Sequence, residues 1–74
     1  MKITVRLFAT LREGRGKEII IEGVAGMNCT DVIRQLDIQE DEVAILLVNG
    51  RDAAWDKPLS ENDVVSIFPP VGGG

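Results

Sequence analysis

Histidine is absent from these 74 residues, and there are only one cysteine, two phenylalanines and one tryptophan. Without imidazole there can be no Ser-His-Asp or Cys-His arrangement and no histidine metal site. One thiol cannot hold zinc or an iron-sulfur cluster, nor close an internal disulfide, and a chain so poor in cysteine is expected in the cytoplasm. Basic residues are also scarce. Eight Lys and Arg, scattered along the chain, face twelve Asp and Glu, and the net charge of −4 argues against nucleic acid as a partner. The longest apolar run, Val43 to Val48, is far short of the ~20 residues that span a bilayer, so no membrane role is expected. Met1-Lys2-Ile3 leads straight into alternating residues, not a charged region with a long apolar core, so no signal peptide is expected either.

What is present is enough for one small core. A domain of this size buries only about 60% of the surface its unfolded chain exposes, so residues 1–74 read as one domain without an enclosed cleft. Lys2 to Phe8 alternate, which places Ile3, Val5 and Leu7 on one face of a strand. Lys17 to Glu22 is a second β-branched run, joined to the first as an antiparallel hairpin, with Leu11 folding back over the core edge. Asn28 supplies a helix cap with Asp31 three residues on, and Cys29, Val32, Ile33 and Leu36 form one apolar stripe ending near Asp37. After the acidic loop Glu40-Asp41-Glu42, residues Val43 to Val48 read as an interior strand. Asn49-Gly50 is a tight-turn signal, and it predicts a short edge strand over Asp52 to Trp55. The last strand, Val64 to Phe68, is stopped by Pro69-Pro70.

Two runs of strands around one helix with a single apolar stripe make an α+β roll, the β-grasp arrangement. Strand parity turns Ile3, Val5, Ala44, Leu46, Val65 and Ile67 toward the helix. It leaves Ile45, Leu47, Ser66 and Phe68 on the far face, which with Phe8 reads as a protein-binding surface. Cys29, on the apolar stripe, reads as a small core residue, and Trp55 as an anchor on the core rim. Asp52 and Asp56 read as solubilising charges. Gly14-Arg15-Gly16-Lys17-Glu18 is not a phosphate loop, because Leu11 stands where the first glycine of that motif belongs and Glu18 replaces its hydroxyl.

The tail is the part that such a fold does not need. Val71-Gly72-Gly73-Gly74, with Pro69-Pro70 before it, makes residues 69–74 a thin stalk. Extended, Val71 to Gly74 reach about 14 Å, and the glycines can enter a tunnel that any Cβ would block. A carboxylate at its end is a poor electrophile until a partner activates it, most simply as an acyl-adenylate made from ATP. A sulfide or persulfide nucleophile would then leave a thiocarboxylate on Gly74, whereas a lysine amine would leave an isopeptide link. A plain interaction module with a dispensable end is the non-carrier alternative.

These residues resemble the MoaD/ThiS family of ubiquitin-like sulfur carriers, nearest to its MoaD-type branch, the small subunits of molybdopterin synthase. The resemblance is carried by Met1 to Ala9 with Leu11-Arg12-Glu13, by Asn28 to Leu36, by Val48-Asn49-Gly50, and by Leu59 with Asn62-Asp63. Its most specific part is the ending Ile67-Phe68-Pro69-Pro70-Val71-Gly72-Gly73-Gly74. It implies that an E1-like enzyme adenylates Gly74 and a sulfurtransferase converts it to a thiocarboxylate. The large synthase subunit then receives Gly72, Gly73 and Gly74 and uses the sulfur to build the dithiolene of molybdopterin. The carrier binds no cofactor and supplies no catalytic or metal-binding residue; ATP belongs to the activating partner. Carried over from the family, the partner-binding residues are Phe8, Leu47, Phe68, Pro69, Pro70 and Val71. Related short carriers serve thiamine, tungsten-cofactor or tRNA-thiolation routes, and some modify proteins.

Overall fold

The computed structural model describes residues 1–70. Its five strands are β1 (Lys2–Leu7), β2 (Glu18–Glu22), β3 (Ile45–Val48), β4 (Arg51–Asp52) and β5 (Val64–Phe68), and its one α-helix is α1 (Cys29–Gln35). They form a single sheet in the order β2-β1-β5-β3-β4, with β1 and β5 parallel and every other pair antiparallel. This is the ubiquitin-like β-grasp, with the last strand in the middle of the sheet.

Alternation decides which face is buried. Ile3, Val5 and Leu7 of β1, Leu46 of β3, and Val65 and Ile67 of β5 join Cys29, Val32 and Ile33 of α1 in one core, and Leu11, Met27, Ile38 and Leu59 close its rim. No polar or charged residue among those described is buried. Leu36, at the end of the stripe, is half-buried against that core.

Both ends of α1 are closed by side chains or local turns. Asn28 Oδ1 accepts from the Asp31 N–H at 2.9 Å, and the Asp31 carboxylate accepts from the Asn28 N–H at 3.0 Å, a reciprocal cap. At the other end Asp37 takes φ 59°, and the N–H groups of Asp37 and Ile38 donate back to the carbonyls of Arg34 and Ile33 at 3.1 and 2.8 Å. That is a Schellman turn with aspartate where glycine is usual, and Ile33 and Ile38 supply its apolar contact. Arg15 then donates from its guanidinium to the carbonyls of Leu36 and Asp37 at 3.3 and 3.2 Å. The glycine-flanked Arg15 thus has a structural task, tying the β1–β2 connection to the helix end.

The tight turn at Asn49-Gly50 forms with φ 54° and 80°. Asn49 also pins β5, because its Oδ1 accepts from the Val64 N–H and its amide donates to Asp63, both at 2.9 Å.

Four expectations need correction. β3 starts at Ile45, not Val43, and Ala44 is exposed, not turned to the helix. A 3-10 turn over Glu40–Glu42 drops Val43 onto the core, which breaks the alternation before Ala44. β4 covers Arg51–Asp52 instead of Asp52 to Trp55, because the Trp55 carbonyl is taken by the Cys29 and Thr30 N–H groups at 3.0 and 3.3 Å. The chain must leave the sheet to reach the helix start. In consequence β3 is interior for only half its length, since β4 pairs with Leu47 and Val48 alone.

Candidate functional site at the exit of the last strand

β5 buries Val65 and Ile67, so alternation turns Val64, Ser66 and Phe68 to the opposite face of the sheet. Leu7 pairs with Ile67, and the next residues on the two parallel strands, Phe8 and Phe68, therefore meet on that face. Their rings stack with centroids 4.1 Å apart and planes 11° from parallel. Such a pair adds about 0.5–1.5 kcal/mol beyond its area burial. On the other flank of β5, Ile45 pairs with Phe68 and Leu47 with Ser66. The far face at the exit is thus an apolar platform of Phe8, Phe68, Ile45 and Leu47, with Ile45 51% exposed.

The chain leaves this platform through Pro69, half-buried, and Pro70, exposed. Proline has no N–H to donate and fixes φ, so the strand ladder stops there and the exit is stiff. Of the residues predicted to bind partners, the fold brings Phe8, Leu47, Phe68, Pro69 and Pro70 to one end of one face. Val71 and the terminal Gly72, Gly73 and Gly74 lie outside the described residues.

Sequence reasoning did not reach Arg12. After Phe8 the chain enters a 3-10 turn, Ala9–Arg12, with Ala9 at φ 52°. The turn sends Leu11 into the core and brings Arg12 back, with its guanidinium carbon 5.3 Å from the centre of the Phe8 ring. Arg12 Nε donates to the Leu7 carbonyl at 2.8 Å, which fixes the side chain there. The only trace of this in the sequence is a cation four residues after an aromatic, a spacing with no meaning until the turn is known.

Cys29 is fully buried, and burial, with the nearby Asp63 charge second, pushes its thiol up to about 11. It is a protonated core residue at neutral pH, with no part in nucleophilic chemistry. Trp55 is half-buried against the core, the rim anchor the sequence predicts. A cavity of about 430 Å³ between Asn49, Arg51, Lys57 and Asp63 lies at the opposite end of the sheet from Phe68. It takes no part in the exit.

This geometry has known counterparts. The ThiS family model matches residues 5–74. The chain is 35% identical over 81 residues to the molybdopterin synthase sulfur carrier subunit of Escherichia coli, covering 97% of this chain and 99% of that one. It is 33% identical over 92 residues to small archaeal modifier protein 3 of Haloferax volcanii, covering 100% of both. The solution structure of the Haloferax volcanii HVO 2177 protein is similar at a TM-score of 0.79 and 33% identity, covering 100% of this chain and 87% of that one.

Proposed function

The chain belongs to the ThiS family, and from that premise we propose that it is a sulfur carrier whose Gly74 carboxyl becomes a thiocarboxylate for molybdopterin synthesis. The observation that carries this reading is the placement of the exit. β5 is held on both flanks, so Phe68-Pro69-Pro70 leaves a rigid apolar platform, and the glycine tail that follows needs no contribution to the core.

The chemistry follows from the carboxylate. An oxygen of the Gly74 carboxylate attacks the α-phosphorus of ATP on an E1-like enzyme, and pyrophosphate leaves. Hydrosulfide, or the outer sulfur of a sulfurtransferase persulfide, then attacks the carbonyl of the mixed anhydride and AMP departs. With a persulfide donor, a thiol must reduce the resulting S–S bond to free the thiocarboxylate. The large synthase subunit then receives the tail, a reading supported by the name of the Escherichia coli relative, a synthase subunit. This chain contributes binding and presentation: Phe8, Leu47, Phe68, Pro69, Pro70 and Val71 meet the partner, and Gly72, Gly73 and Gly74 enter it.

The relative named as an archaeal modifier supports a second reading, in which a lysine amine attacks the same adenylate and AMP leaves an isopeptide bond. Intact-mass analysis separates the two. After incubation with its E1-like enzyme, ATP and a sulfur donor, the carrier gains the mass difference between sulfur and oxygen. Isopeptide adducts in place of that gain would favour the modifier.

Removing Gly74, or replacing it with alanine, should abolish sulfur transfer and leave the denaturation midpoint unchanged, because a terminal glycine has no side chain to pack and the described core is built from residues up to Ile67. A Gly74-deleted chain that still transfers sulfur would refute the mechanism.

A further inference from the structure

Beside the Phe8–Phe68 stack lies a shallow recess of about 390 Å³, lined by Arg6, Leu7, Phe8, Arg12, Lys17 and Glu18. Its charge is opposite to that of the molecule: three cations and one carboxylate on a chain with a net charge of −4. Glu18 is engaged by Arg6 at 3.4 Å. Arg12 and Lys17 form no salt bridge among the described residues.

We infer that this recess receives acidic side chains of the adenylating enzyme that acts on the tail. The inference rests on the carrier reading and extends it to the chemistry of the partner's surface. Reach is the first argument. From Val71 to Gly74 the chain extends at most about 14 Å, so a protein working on the last carboxyl must lie against the exit, and the recess shares Phe8 with that exit. Complementarity is the second. Arg12 is already held by the Leu7 carbonyl and the Phe8 ring, so its remaining N–H donors meet a carboxylate with little further ordering. Lys17 and Arg6, both exposed, add a positive field that speeds encounter with an acidic surface.

The test uses the full chain and its purified adenylating enzyme, with Kd measured at low and high salt. Wild type should bind more weakly as salt rises. The double variant Arg6→Glu, Lys17→Glu should bind at least about tenfold more weakly at low salt and lose most of that salt dependence. The double variant Arg51→Glu, Lys57→Glu, in the cavity at the other end, makes the same total charge change away from the exit and should stay within about twofold of wild type. Matching melting curves establish that the variants are folded. An Arg6→Glu, Lys17→Glu variant that binds like wild type would overturn the inference, as would an equal loss in Arg51→Glu, Lys57→Glu, which would mean that net charge alone matters. If wild type itself fails to bind or to be adenylated, the carrier reading falls first and this inference falls with it.

Discussion

A thiol at the first position of a helix is placed to be reactive, yet Cys29 is held out of water and kept protonated. Its folded value of about 11 lies above its ordinary value near 9, so as pH rises the unfolded chain releases this proton first. The stability that burial gives is fully present below about pH 9 and is lost as pH rises toward 11. Urea midpoints at pH 7 and pH 10 should therefore fall further for wild type than for Cys29→Ala. Equal falls would mean that the thiol ionises as easily folded as unfolded. Arg12 shows the same dependence on surroundings at the surface: the side chain becomes part of a platform only because a turn at Ala9 folds it back onto Phe8.

At the scale of elements, the C-terminus of α1 carries a removable strain. Asp37 sits in the left-handed region, where a Cβ costs about 1 kcal/mol and glycine is free of that cost. Asp37→Gly should raise stability by about 0.5–1 kcal/mol and the melting temperature by several degrees, as read by calorimetry. A lowered melting temperature would show that the aspartate side chain contributes more than its backbone costs. The elements themselves were largely legible, because each rests on short-range physics. Alternation in Ile3, Val5 and Leu7 marks a half-buried strand, Asn28 and Asp31 mark a helix start, and Asn49-Gly50 marks a tight turn. What could not be read were features decided by distant partners. The carbonyl of Trp55 leaves the sheet for N–H groups more than twenty residues earlier, and Arg15 caps a helix that lies well beyond it in sequence. The candidate site was legible in its apolar half, since parity alone puts Phe68 and Leu47 on one face. Its cationic half was not, since Arg6, Arg12 and Lys17 meet only through the hairpin register and the turn between its strands.

Considered whole, the molecule divides its sheet between two tasks, one face packed on the helix and the other, at the exit, presenting apolar side chains to solvent. Phe68→Glu puts a charge on the second face without touching the first, so it should retain the fold and weaken partner binding by about tenfold or more. Calorimetric titration against the adenylating enzyme reads this directly; unchanged affinity would place the interface elsewhere. The position of β5 reaches further than binding. The N-terminal hairpin of β1 and β2 and the C-terminal pair of β3 and β4 touch each other in the sheet only through this strand, which is made last. A chain that ends before Val64 lacks the strand that joins β1 to β3, so the inner edges of both pairs have no partner in the sheet. Completion of the sheet and synthesis of the strand that leads to the exit are therefore one event, so that few folded copies can exist without that strand.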